Sequence, residues 1–156
     1  MSGSLVHSLD EIVYSIFDTN MQKVLFVCIH NSARSQMAEA FLNEVGKECF
    51  EAESAGLEPG KLNPVVVEAM CEVGLDVSGN TCDAIEDFLP QAEEFAYVVT
   101  VCDETAAERC PIFPGNVKRL HWGFPDPSSL QGSTGERLAR TRKIRDLIRG
   151  RIEQWL

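Results

Sequence analysis

No stretch of the 156 residues approaches the run of roughly 20 apolar residues that a membrane-spanning helix requires, so no membrane role is expected. The N-terminus lacks the basic start and short apolar core of a secretory signal, and the expected location is the cytoplasm, where thiols stay reduced. Basic residues are scarce: 14 Lys and Arg against 24 Asp and Glu leave a net charge of −10. That balance argues against nucleic acid or an anionic membrane surface as partner. No two cysteines stand at the close spacing of a zinc knuckle, and only three histidines are present, so a cysteine-based metal centre is not expected. There is no internal repeat and no low-complexity run.

What is present is the length of one domain, expected to be monomeric, and six cysteines: Cys28, Cys49, Cys71, Cys82, Cys102 and Cys110. In a reducing compartment these read as catalytic or buried rather than as a disulfide framework. Seven of the 14 basic residues crowd into 137–151. On an amphipathic helix such a run reads as a solvated face rather than an RNA-binding one. Residues 1–21 are expected to be an N-terminal extension. There Ser8 and Glu11 form a capping-box pattern, and Leu9, Ile12, Val13, Ile16 and Phe17 share one helical face. A docking helix, a dimer contact and an added tail all remain open for it, with Met21 as the expected native start.

From residue 22 strand and helix patterns alternate. KVLFVC (23–28) is a short apolar run of the kind that a strand buried on both faces shows, and residues 37–45 have helical periodicity. FEAESAG (50–56) reads as a second strand. Asn63 as N-cap, Pro64 at the first helical position and Gly74 as stop bracket a second helix. YVVTVC (97–102) and VKRLHW (117–122) are expected as the third and fourth strands. Residues 135–156 read as a long helix with Leu138, Ile144, Leu147, Ile148, Ile152 and Trp155 inward. This alternation implies an α/β fold, a four-stranded parallel sheet flanked by helices. Ligands of such sheets bind outside the carboxyl ends of the strands, where Cys28 and Cys102 both fall.

The segment VCIHNSARSQMAEAF (27–41) places Cys28 at a strand end and Arg34 at a helix start. A loop of this kind turns backbone N–H groups inward, and the helix dipole and the guanidinium fork add positive charge, making a socket for a tetrahedral oxyanion. The substrate-binding set is then Ile29, His30, Asn31, Ser32, Ala33, Arg34 and Ser35. The same field favours the thiolate, the reactive form of cysteine. Ser35 is placed to donate to the sulfur and Asn31 to brace the loop. His30 is either a tuner of Cys28 or a solvent-facing side chain. Cys49 and Cys71 read as inert buried fillers, and His121, beside Trp122, as packed.

VCIHNSARSQMAEAFLN, SAGLEPGKLNPVVVEAM, VVTVC and CPIFPGNVKRLHWGFPDP resemble the low-molecular-weight protein tyrosine phosphatase superfamily, and within it the thioredoxin-coupled arsenate reductases. The resemblance covers about residues 22–156, taken as a single domain, and implies a sheet of low-molecular-weight phosphatase type. It implies reduction of arsenate to arsenite, in arsenic detoxification, by a relay of Cys28 as nucleophile with Cys102 and Cys110 as resolving thiols. Asp126, in the loop Gly-Phe-Pro-Asp-Pro, is the implied general acid; a carboxyl beside a bound anion is pushed toward its protonated form. Cys102–Cys110 would be the redox-active disulfide, regenerated by thioredoxin or a similar dithiol. A low-molecular-weight tyrosine phosphatase is the alternative, weakened by Ser128 where such phosphatases carry an aromatic residue. No tightly bound cofactor is implied beyond a potassium ion at Asn31, Glu39, Ser54 and Asp83. Cys82 stands where serine is usual, which leaves a side disulfide open.

Overall fold

The apolar run that opens the domain becomes an inner strand of the sheet because both of its faces must be covered. In the computed structural model, which describes residues 21–156, β1 (Gln22–Cys28) pairs with β2 (Phe50–Gly56) on one side and β3 (Phe95–Thr100) on the other. β4 (Lys118–His121) completes a sheet of order β2-β1-β3-β4 in which every pairing is parallel. The expectations for residues 1–20 lie outside the described residues.

Successive β1 side chains alternate between two apolar clusters. Val24, Phe26 and Cys28 join the residues of helices α1 (Arg34–Val45), α2 (Pro64–Cys71) and α4 (Thr134–Trp155). Leu25 and Val27 point the other way, into a cluster with Ala55, Ile85, Ala92, Phe95, Val98, Cys110 and Phe113. That second face is roofed by a 3₁₀ segment (Ile85–Glu94) and by the chain that follows a short helix α3 (Glu104–Ala107), through Cys110 and Phe113. Ala106 and Ala107 of α3 itself pack into the first cluster. The strand order reverses between β1 and β3, so the crevice at their carboxyl ends is the switch point of the sheet.

Local chemistry accounts for most boundaries. The Asn63 side chain accepts from the N–H groups of Val65 and Val66 at 2.9 and 3.4 Å, with Pro64 next to it. Helix α2 ends at Cys71, short of Gly74, whose φ of 82° closes the turn that follows. Ser133 caps α4 by accepting from the N–H of Glu136. Aromatic contacts link the end of α4 to the sheet: Trp155 lies 4.9 to 5.3 Å from the rings of Phe50, Tyr97 and Trp122.

Three burial expectations are overturned. Leu147 is 57% exposed, because Arg145 takes the inward place on α4 and donates to the carbonyl of Ala69 and to Glu72 at 2.8 and 2.9 Å. Arg142 also grips Glu72, so part of the basic run is an inter-helix clamp rather than a free face. Cys49 and Cys71 are exposed. Cys49 sits in the turn before β2, and Cys71 falls off the inward stripe of Val65, Val66, Ala69 and Met70. His121 is exposed too, its Nδ1 held by the Thr100 hydroxyl at 2.7 Å.

Candidate active site

Between the end of β1 and the start of α1 the chain folds over the sulfur of Cys28, which is 3% exposed. The N–H of Asn31 donates to Cys28 Sγ at 3.2 Å, and Ser35 Oγ lies 2.9 Å from the same sulfur. Asn31 Nδ2 donates to Ser35 Oγ at 2.7 Å. Its oxygen being used as acceptor there, the serine is left with its O–H proton to give to sulfur. One asparagine thus orients both donors.

Asn31 adopts φ 54°, a left-handed conformation that asparagine tolerates better than most residues. The side chain is fully buried, and its Oδ1 accepts from the N–H of Asp83 at 2.9 Å and from Gln36 Nε2 at 3.3 Å. Gln36 also reaches the carbonyls of Asn31 and Thr81, tying the loop to residues 81–83. Gly56, level with Cys28 in the sheet, leaves the loop its room. A Cβ there would stand 2.8 Å from Asn31 N and 2.9 Å from His30 C and Ile29 O.

Ala33 offers no capping side chain to α1, so the first N–H groups of the helix are left for an external acceptor, the usual arrangement for an anion site. Arg34, 5% exposed, donates to the carbonyl of Phe124 at 3.1 Å and stands 3.7 Å from Asp126 Oδ2. Asp126 Oδ1 accepts from the N–H of Ser128 at 2.9 Å, fixing the loop after β4. The carboxyl oxygen that faces the site is therefore Oδ2. The His30 ring turns away, bonded through Nδ1 to the carbonyl of Glu58 at 2.8 Å, which removes it as a direct tuner of the thiol.

Cys102, two residues past β3, is completely buried in the same cluster as Cys28. Burial pushes its thiol up to about 11; the Arg34 guanidinium opposes this and the Cys28 charge adds to it. Cys110 is buried as well, but in the cluster on the other face of the sheet, where burial also raises its thiol. All six cysteines are free.

The sequence matches the family model described as low molecular weight phosphotyrosine protein phosphatase over residues 23–156. The chain belongs to that family. Among low molecular weight phosphatase relatives, an arsenate reductase of Shouchella clausii is 44% identical over 133 residues, covering 85% of this chain and 93% of its own. A solved structure described as an arsenate reductase in the phosphate binding state is 33% identical, with a TM-score of 0.70 over 86% of this chain and 96% of that one. A thioredoxin-dependent arsenate reductase of Corynebacterium glutamicum is 25% identical, with a TM-score of 0.60 over 87% of this chain and 64% of that one.

Of the expected site residues, the fold gathers Cys28, Asn31, Arg34, Ser35 and Asp126 around one loop, with Cys102 in the cluster that holds Cys28; Cys110 lies apart. The residues expected to hold potassium are only partly assembled. Glu39, Ser54 and Asp83 ring a cavity of about 270 Å³, with Ser54 donating to Glu39 at 3.2 Å. Asn31 Oδ1 is already committed to two protein donors. Glu39 is pushed up to about 7, chiefly by burial, with Glu53 and Asp83 adding repulsion. Three oxygen donors of this kind suit a weakly held monovalent cation; the fourth does not join them. Sequence reading missed Gln36 and Gly56. The signals were a glutamine within the inward stripe of α1 and a glycine level with the nucleophile.

Proposed function

We propose that this protein reduces arsenate to arsenite and is regenerated by a thioredoxin-type dithiol. The observation that carries the reading is Cys28 under the oxyanion loop, with a second buried thiol, Cys102, in the same apolar cluster at the end of the adjacent strand. A phosphatase needs only the first of these. The arsenate reductase relatives and the thioredoxin-dependent one support the same assignment.

The loop N–H groups and Arg34 bind the oxyanion, and the Cys28 thiolate attacks arsenic. Asp126 protonates the departing oxygen through Oδ2, leaving a Cys28–As(V) bond. The Cys102 thiolate attacks Cys28 Sγ; the S–As bond breaks, its electron pair stays on arsenic, and arsenite leaves with As(III). Cys110 then attacks Cys102 Sγ, Cys28 departs as thiolate, and a Cys102–Cys110 disulfide remains. An external dithiol reduces it by exchange and becomes a disulfide itself. A potassium ion at Glu39, Ser54 and Asp83 would neutralise the repulsion among carboxylates behind the loop.

The Cys28, Arg34 and Asp126 group also suits hydrolysis of a phosphoryl ester, so a residual phosphatase activity accompanies this reading. Arsenate-dependent NADPH consumption in the presence of thioredoxin and its reductase tests it. Turnover in the wild type and its loss in Cys110→Ser are expected; no turnover in the wild type would overturn the assignment.

A further inference from the structure

One side chain braces the turn that presents the third thiol of the proposed relay. Arg119, on edge strand β4 and level with Val98 of β3, reaches across to the turn that follows α3. Its Nη1 donates to the carbonyl of Cys110 at 3.3 Å, and its Nη2 to the carbonyl of Ala107. The Ala107 oxygen also accepts the N–H of Cys110 at 3.1 Å, so the guanidinium braces both ends of the turn that presents this cysteine. Arginine at a helix C-terminus satisfies carbonyls that have no partner within the helix. The planar fork allows two carbonyls to be held at once, which a lysine cannot reproduce. Beneath it the Cys110 side chain is buried among Leu25, Val27, Phe95, Val98 and Phe113.

We infer that Arg119 is the latch of the redox segment, a positioning residue that stabilises the reduced conformer with Cys110 on the far face of the sheet and so sets the equilibrium and rate of the second disulfide. This rests on the relay proposed above. Joining Cys110 to Cys102 requires the sulfur to leave one cluster for the other. The two Sγ atoms of a disulfide are about 2 Å apart, with Cα atoms usually within about 7 Å. The turn must therefore open, and the Cys110–Ala107 hydrogen bond and both Arg119 contacts go with it. None of these contacts survives in the oxidised conformer, so their full strength falls on the reduced side. The guanidinium charge also acts on Cys110, opposing the rise that burial imposes on its thiol. Arg119→Lys keeps a positive charge there while losing the fork, which separates the latch from the electrostatic effect.

The experiment compares the wild type with Arg119→Lys in two measurements. In the reduced proteins, amide exchange at Cys110 is expected to be at least tenfold faster in the variant, while exchange in β1 is unchanged. In a glutathione redox titration the Cys102–Cys110 couple is expected to become more negative in Arg119→Lys. A tenfold gain in the oxidised form corresponds to about 30 mV for a two-electron couple. Equal amide exchange in the two proteins would overturn the latch, whether or not the disulfide forms. Equal potentials, with mass mapping finding the disulfide at Cys102 and Cys110 in both, would overturn it as well. Mass mapping that finds no such disulfide in the wild type would overturn the relay instead, leaving exchange at Cys110 to decide the latch in the reduced protein.

Discussion

Cys102 and Cys110 stand eight positions apart in the chain and on opposite faces of the sheet, the first among the side chains of α1 and α4, the second under the 3₁₀ roof. The first disulfide of the proposed relay would join two members of one cluster. The second would demand a rearrangement of residues 103–110. A variant that lacks the travelling thiol should therefore complete the first half of the cycle and stop. Cys110→Ser is expected to release about one arsenite per chain in a rapid phase and to accumulate a Cys28–Cys102 disulfide, readable by mass mapping after an acid quench. Continued turnover at the wild-type rate would show that the external dithiol reaches the first disulfide directly.

Loss of Cys102 should separate two chemistries that share one nucleophile. Cys102→Ser removes the thiol that the proposed relay uses to deliver electrons to arsenic but leaves the Asn31–Ser35–Cys28 hydrogen bonds and the Arg34–Asp126 pair in place. Arsenate turnover is expected to fall at least 1,000-fold, roughly the scale of losing an essential reacting group. Hydrolysis of p-nitrophenyl phosphate should stay within about threefold of the wild type. Parallel loss of both activities would mean that Cys102 supports the loop structurally rather than acting in redox chemistry.

In the proposed relay the step that follows attack on arsenic should take its pH dependence from the burial of Cys102. Its thiol sits at about 11 against an ordinary 9, so it is largely protonated at neutral pH. The thiolate fraction grows about tenfold per pH unit below that value. In single-turnover experiments the release of arsenite is expected to rise with pH through the range 6 to 9 without levelling off. A plateau below pH 8 would show that formation of the arsenic adduct lowers this thiol and that the resting geometry does not govern it.

The placement of Cys28, Arg34 and the loop between them was legible because they lie within seven consecutive positions at a strand–helix junction, where local pattern decides conformation. The parallel sheet was legible for the same reason, from apolar runs separated by helical periodicity and by the caps at Asn63 and Gly74. What was not legible depends on contacts between distant segments. Periodicity put Leu147 inward, yet the carbonyl of Ala69, more than 70 positions away, draws Arg145 into that place instead. The 3₁₀ segment at 85–94 is interrupted by Pro90 and kinked at Gln91, which hides it from a reading that treats proline as a helix stop. Cys110 rests on the face that holds Phe113, its carbonyl accepting from Arg119, and nothing in the spacing of two cysteines reveals it.

Gly56 is a position where one methyl group should alter the site without touching a reacting atom. A Cβ would come within 3 Å of three backbone atoms of residues 29–31, and backbone cannot move aside as the end of a flexible side chain can. The loop must shift, and with it the N–H that Asn31 gives to Cys28. Gly56→Ala is expected to weaken inorganic phosphate binding at least tenfold by calorimetry, with a stability loss of about 1–3 kcal/mol, the usual cost of overpacking. Unchanged phosphate affinity would show that β2 yields instead of the loop.

Glu39 gives the sharpest stability test, because its carboxyl is raised from 4.5 to about 7 by burial, and then by Glu53 and Asp83, against the lowering effect of the Ser54 hydrogen bond. A raised carboxyl binds more protons in the folded than in the unfolded chain between those two values. The stability it contributes is therefore present at pH 4.5 and is lost as pH rises to 7, by at most about 3 kcal/mol. In urea titrations between pH 5 and 8, Glu39→Gln is expected to gain on the wild type steadily with pH and to level off above about 7.5. A cation in the adjoining cavity would offset the same repulsion. At pH 8 the wild type should accordingly be stabilised more by potassium chloride than by lithium chloride at equal ionic strength, and Glu39→Gln should not distinguish the two salts. A constant difference between the two proteins across the pH range would mean that Glu39 titrates as an ordinary surface carboxyl. Equal effects of the two salts on the wild type would remove potassium from the site.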